Sequence, residues 1–467
     1  MKMQSLTIPA VLVQLVFNCS AFAHHQSAKL FPSDANDGDS FGISVAIDGN
    51  TAVVGAYQND SNGTDCGAAY VYELSGSQWL QRQKLTPSDG SPGGNFGRSV
   101  AIEANTIVVG SYNGDSNEPN TGSAYIFTRA DALWSQQQKI TAPDANIGDR
   151  FGDSVSISND TIVIGAYGDA AFIGSAYVFV KFGSSWAMQQ KLTPSDANVG
   201  DHFGYSVAID ADTIIVGAHK SNHLGLDDTG SAYIFTRNAG LWSQQTVLYA
   251  SDAGYTNYFG WSVALDGNYA VIGAYECDIV DVDKAGAAYV FSKIDSNWVE
   301  QQKLFDADDP CNGEDFGWSV AIKNDTILVG CTCDSLGGKQ TGSVFEFVRS
   351  GPAWLQSARL TASDLNDEDK FGSSVALSGS HIIVGAPYNF NNGKSTGSAY
   401  IFDDVLAADL DGDSDVDFAD FAVFAPAWLT SSGQPRYNPL CDISIPPDML
   451  INLLDLDILA DSWLVGK

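Results

Sequence analysis

The segment FGISVAIDGNTAVVGA, Phe41 to Ala56, decides the fold, because close copies of it begin at Phe96, Phe151, Phe203, Phe259, Phe316 and Phe371. The spacing runs from 52 to 57 residues, a period typical of propeller arrays and longer than that of most helical solenoids. Each unit holds four runs rich in β-branched and aromatic residues, separated by Gly, Asn and Asp turns. In the first unit these are FGISVAI, TAVVGAY, GAAYVYEL and WLQRQKL, designated strands A to D. Strand B is apolar on successive residues, so both its faces are expected to be buried, as between radial sheets stacked face to face.

Glycine stands at all seven FG positions (Gly42 to Gly372), at all seven VG positions (Gly55 to Gly385) and before every strand C (Gly67 to Gly397). That pattern predicts positive φ or close backbone approach. Trp opens strand D in six units, from Trp79 to Trp354, but the seventh unit stops after GSAYIF at Phe402. The segment QSAKL, Gln26 to Leu30, matches the end of strand D elsewhere (QRQKL, QQQKI, MQQKL). It can supply the missing outer strand and close the ring, which removes exposed sheet edges. The expected fold of residues 24–404 is all-β, a seven-bladed β-propeller.

The FG…VGA pattern over residues 29–404 resembles the FG-GAP repeats of the α-integrin-type propeller. The resemblance implies the fold; propellers host binding, adhesion and catalysis alike. Integrin blades can carry calcium loops between strands A and B. Here those turns are only DGN, EAN, SND, DAD, DGN, KND and SGS, too short to wrap a cation, so that role is not carried over.

Residues 1–23 read as a secretory signal: Lys2, an apolar run from Leu6 to Phe17, and the small-x-small triplet Ala21-Phe22-Ala23. No later segment approaches the roughly 18 apolar residues of a membrane span. The expected location is extracellular or at the cell surface. With 56 acidic against 23 basic residues the net charge is −33, which argues against nucleic acid as a partner. Such carboxylate density suits hard cations such as calcium, and equally serves solubility. After the signal come Cys66, Cys277, Cys311, Cys331, Cys333 and Cys441. Cys331-x-Cys333 lacks zinc spacing and a nearby His. Cys311 is expected to pair with Cys277 or Cys333, since all three lie in long loops on one face of blades five and six. Cys331 replaces the small residue of VGA and is expected to be a buried thiol.

Long D–A and B–C loops gather at one end of the barrel, the expected working face. Each D–A loop has an Asp seven residues before the FG phenylalanine: Asp34, Asp89, Asp144, Asp196, Asp252, Asp309 and Asp364. Asp39, Asp149, Asp201 and Asp369 follow five residues later in four loops, and Glu314 in one. Asx-turns that cap their own loops account for this repeat more simply than a ring of cations. The residue after FG varies, and Tyr205, Trp261 and Trp318 occupy it on consecutive blades. They are the candidate ligand-binding residues, able to stack on sugar rings or grip a protein side chain, or else to fill gaps between blades. His219 and His223, with Asp227 and Asp228, fit no recognisable metal motif. No GxSxG, HExxH or P-loop is present, and no catalytic residue is assigned.

The tail begins DLDGDSDVDFADFAVFAPAWL at Asp409, and a variant starts at Cys441. Acidic residues at alternate positions and then at loop position twelve supply oxygen ligands for Ca²⁺, and an apolar, helix-like run follows. The first loop offers Asp409, Asp411, Asp413, Asp415, Asp417 and Asp420; the second offers Asp442, Ser444, Asp448, Asn452 and Asp455. This duplicated calcium loop and helix resembles a type I dockerin over 409–467. The resemblance implies a small α-helical, EF-hand-like module at 405–467, with a cohesin-type scaffold as partner. Ser414 and Met449 stand where such loops carry glycine, and the second loop has two extra residues around Pro446-Pro447. The reading is a secreted, non-enzymatic binding or adhesion protein. The alternative is a component of a polysaccharide catabolic complex with a hydrolase or lyase propeller.

Overall fold

The computed structural model describes residues 23–405, except 115–119, 280–281, 307–312, 314, 337–338 and 392. The leader at 1–22 and both calcium loops of the tail lie outside the described residues. His24–Val405 forms one compact unit.

Its body is seven antiparallel four-stranded sheets. In blade one, strands A to D are Ser44–Asp48, Thr51–Ala56, Ala68–Ser75 and Gln78–Leu85, paired in sequence order. Blades two to six repeat the order. Blade seven takes strands A to C from Ser374–Ser378, His381–Ala386 and Ser398–Val405, and its outer strand from Ala23–Leu30. The N-terminal segment thus closes the ring. Leu30 is buried, Lys29 Nζ reaches Asp364 at 2.5 Å, and His24 Nε2 meets Glu346 Oε1 of blade six at 2.8 Å.

Strand A of every blade lies against strand A of the next, and blade seven against blade one, so the inner strands form a closed ring. Strand B of blade one is buried along its whole length, as its unbroken apolar run requires. Each FG phenylalanine is buried between blades, edge-on to aromatic residues of strand C; Phe41 sits 5.5 Å from Tyr70 and 6.1 Å from Tyr72.

Two glycine positions explain why the blades sit so close. Gly42 adopts φ +94°, where a side chain would run into the Ser398 carbonyl of the preceding blade. Gly55 has an ordinary φ, but a Cβ there would overlap the carbonyl oxygen of Gly97 in blade two. At the rim, glutamine amides tie neighbours together. Gln83 Nε2 donates to the Trp134 carbonyl at 2.6 Å while the Trp134 N–H donates back at 2.9 Å, and the same pair recurs at Gln138–Trp186, Gln190–Trp242 and Gln302–Trp354.

Cys277 and Cys333 are free thiols, which removes both expected partners of Cys311, itself outside the described residues. The reason is local. Cys277 occupies the loop position that Asn59 holds in blade one, and its thiol turns inward to Tyr289 Oη at 3.2 Å. Cys331 is fully buried, as expected.

Candidate ligand-binding mouth

The A–B and C–D turns are two residues long, so side chains able to meet a ligand collect at the opposite, long-loop end. There the repeated aspartates serve the frame. Asp34 accepts from Tyr70 Oη at 2.9 Å and from Lys84 Nζ at 2.6 Å, both of its own blade. Asp89, Asp144, Asp252 and Asp364 do the same with Tyr125 and Lys139, Tyr177 and Lys191, Tyr289 and Lys303, and Tyr400 and Lys29. Partial burial works to raise these carboxyl pKa values, but the Lys and Tyr contacts outweigh it and hold them below the ordinary range. The carboxylate thus reaches sideways to its blade as well as to its own backbone N–H, contacts that the simple Asx-turn expectation did not include. In blade four Val247 replaces the lysine, and Asp196 keeps only Tyr233 of the pair, at 3.0 Å. Asp309 lies outside the described residues.

The second aspartates do cap their loops. Asp39, Asp149, Asp201 and Asp369 are buried and accept the backbone N–H of the Asn three residues earlier, at 2.6–2.8 Å. Burial raises their pKa values.

Three variable positions per blade build the mouth. The residue before FG has a left-handed backbone in all seven blades, from Ser40 (φ 56°) through Arg150 (59°) and His202 (60°) to Lys370 (57°), although none is glycine. Its carbonyl accepts the N–H of the residue after FG, as in Tyr205 to His202 at 3.2 Å and Trp261 to Tyr258 at 3.0 Å. This tight turn sets the residues before and after FG side by side. Tyr167, His219 and Tyr275, each following the VGA or IGA triplet of its blade, supply the third position.

The three residues singled out from sequence do come together. Tyr205 and Trp261 have ring centroids 4.7 Å apart, and Trp261 and Trp318 are 4.9 Å apart. All three are partly exposed. The belt extends beyond them: Tyr167 lies 5.4 Å from Tyr205, and Tyr275 lies 4.5 Å from Trp261. His219 is buried behind it, 4.2 Å from Tyr205 and 5.1 Å from His202. His223 instead stacks on Tyr249 at 3.6 Å, so the two histidines of the HKSNH stretch do not converge. Burial first, then His202 and Lys220, hold His219 well below the usual histidine pKa. Tyr167, Tyr275 and His219 were legible in outline, since an aromatic or imidazole ring follows the VGA, VGS or IGA triplet in five of seven units.

Charges sit at the edge of the belt. Arg98 Nε lies 3.4 Å from buried Asp153, and Arg150 is flanked by Tyr112 and Tyr167 at 5.4 and 5.5 Å. In blade six Asp315 Oδ2 accepts from the Cys333 thiol at 2.8 Å and from Thr332 Oγ1 at 3.0 Å. Among the described residues no three His, Cys, Asp or Glu side chains are placed to share a metal ion.

The FG-GAP repeat family matches seven segments, 24–72, 79–127, 134–179, 186–235, 242–291, 298–347 and 354–402. Each matched unit runs D-A-B-C, one strand out of step with the blades, so every repeat bridges two sheets. No curated protein matches the chain. Of 493 matching chains of solved structures, one from "Crystal Structure of Mitotic Checkpoint Complex" is 11% identical and superposes with a TM-score of 0.50, covering 87% of this chain and 99% of that one. At that identity the likeness concerns the fold alone. The chain belongs to the FG-GAP repeat family, and its described part is an all-β, seven-bladed propeller.

Proposed function

We propose that this is a secreted, non-enzymatic binding or adhesion protein. The propeller mouth takes a glycan or protein ligand, and the tail, with Ca²⁺ in its loops, docks the chain to a cohesin-type scaffold. The observation that carries the binding reading is the continuous belt Tyr167–Tyr205–Trp261–Trp318, part-exposed rings in contact across four blades. Large, rigid amphipathic rings give contact area at low entropic cost. A hydrolase or lyase needs carboxylates free to act. The repeated aspartates here are held by lysine, tyrosine or backbone N–H, and Asp153 by Arg98.

Secretion rests on residues 1–23 and docking on 409–467, both read from sequence. The test of the mouth is to screen the mature chain on immobilised glycan and protein panels for retention and turnover, beside the double variant Trp261→Ala, Trp318→Ala. Retention lost in the variant supports the reading; turnover by the wild type sinks it. For the tail, calcium calorimetry on the chain and on Asp409→Ala with Asp413→Ala decides: no calcium heat in the wild type removes the docking case.

A further inference from the structure

Resting on the binding reading, we infer that blades two to four of the mouth form a carboxylate-recognition subsite, and that the ligand is an oligosaccharide bearing a uronate-type carboxylate. The observations start from charge. Among the described residues every arginine except Arg150 lies within 4.0 Å of a carboxylate, as expected where acidic residues outnumber basic ones 56 to 23. Arg150 makes no such pair. Its guanidinium is held between the Tyr112 and Tyr167 rings, which fix it without using its N–H donors on an anion. The carboxylate three residues on, Asp153, is engaged by Arg98 at 3.4 Å.

Lys220, from the next blade, also has no carboxylate within 4.0 Å among the described residues, and its charge and that of Arg150 both bear on the His202 imidazole. Burial first, then Lys220 and Arg150, push that imidazole down to about 4, so it is neutral at physiological pH. The quadrant therefore presents Arg98, Arg150 and Lys220 with Asp153, whose charge both arginines favour, while Asp149 and Asp201 are buried behind it and taken up in capping their own loops, on a chain whose net charge is −33.

The backbone beside it is strained as well. Ala170, Ala171 and Phe172 are consecutively left-handed (φ 52°, 61° and 66°), where L-residues normally visit that region singly. The turn sets Phe172 5.3 Å from His202, and the Phe172 carbonyl accepts the His202 N–H at 3.0 Å. Backbone strain of this kind concentrates at ligand clamps.

A guanidinium fixed in plane offers a fork that matches a carboxylate in bidentate fashion. The aromatic belt begins at the same Tyr167, so a pyranose attached to that carboxylate would lie over Tyr205 and Trp261, its C–H face on the rings. The strongly negative remainder of the chain disfavours a densely sulfated polymer.

The experiment titrates the full mature chain with trigalacturonate and with its fully methyl-esterified counterpart, which keeps the rings and loses the charge, by calorimetry and tryptophan fluorescence. The acid is expected to bind about tenfold tighter or better, the size of a charge-assisted hydrogen-bond pair. Arg150→Gln should bring the acid down to the level of the ester and leave the ester unchanged, with Lys220→Gln having a smaller effect of the same kind; melting curves check that both variants fold. Trp318→Ser should weaken acid and ester alike. Equal binding of acid and ester, or an unaltered preference in Arg150→Gln, overturns the carboxylate subsite and leaves the mouth standing. Equal binding of an oligoglutamate peptide overturns the sugar assignment. If neither saccharide binds, the inference falls, and the panel result decides separately whether the mouth binds anything.

Discussion

The blade walls and the mouth are built from the same seven repeats and obey opposite rules. In the walls each position has one chemistry: buried FG phenylalanine, VG glycine, and the Asp–Tyr–Lys group of blades one, two, three, five and seven. At the mouth the residue after FG is Ile43, Arg98, Asp153, Tyr205, Trp261, Trp318 or Ser373 on one unchanging turn. A position that the fold tolerates as Ile, Asp or Trp is not chosen by the fold. Its charged and aromatic run on blades two to six is where ligand chemistry can be written without disturbing the ring.

The largest way to break this comparison is at the closure. Deleting residues 24–31 strips blade seven of its outer strand, buried Leu30 and the Lys29–Asp364 and His24–Glu346 contacts. Loss of several kcal/mol is expected from newly exposed apolar area and an unpaired edge. A thermal melt should show a drop of many degrees or loss of the cooperative transition; an unchanged midpoint would refute the closure.

Next comes Gly55→Ala, a change of one methyl group against backbone that cannot yield, since the obstructing atom is the Gly97 carbonyl oxygen. About 3 kcal/mol is expected, at the upper end of overpacking costs. Denaturant midpoints should move accordingly, whereas Gly76→Ala, at an open turn of the same blade, should cost only the strain of its positive φ.

The third test uses pH. His202 has a folded pKa of about 4 against the ordinary 6.5, so the folded state binds fewer protons than the unfolded one. Its contribution is fully present above pH 6.5 and is lost as pH falls toward 4. The capping aspartates, whose pKa values are raised, act in the opposite sense, gaining stability on protonation. The difference between wild type and His202→Asn isolates the imidazole, and Asn tolerates the left-handed backbone. Between pH 7 and 4 the wild type should lose roughly 2 kcal/mol more than the variant. Parallel stability curves would show that the imidazole is not held neutral by its surroundings.

The smallest effect on stability should come from the mouth itself. Trp318→Ser installs the residue that blade seven carries at this position, Ser373, and should cost under about 1 kcal/mol because the ring is partly exposed. Ligand retention should nevertheless fall. A severe loss of stability would make Trp318 a wall residue and dissolve the distinction between the two regions.

The walls were readable because the repetition itself carried the signal. Seven FG pairs and seven VG or IG pairs fix where backbones touch, alternating and continuous apolar runs fix which faces are buried, and QSAKL named the strand that closes the ring. The neighbouring placement of Tyr205, Trp261 and Trp318 followed from their offset within the repeat. The partner of Asp34 did not, because Lys84 is 50 residues away and reaches it only when the D–A loop folds back over its own blade. The fate of Cys277 was hidden for a similar reason: a loop cysteine and an inward replacement for asparagine look alike until the loop is closed.

By itself, then, the sequence determined the all-β class, the number of blades and the route of closure, because these depend on periodic features repeated too often to be ambiguous. Tertiary structure decided what the non-repeating residues became. The left-handed turn before each FG is occupied by Ser, Asn, Arg, His, Tyr, Asp and Lys, a set with no common propensity, and only interblade packing forces them into it. Whether Arg150 would be neutralised or left open, in a chain with 56 acidic residues, was likewise settled by which carboxylate the fold carried within reach.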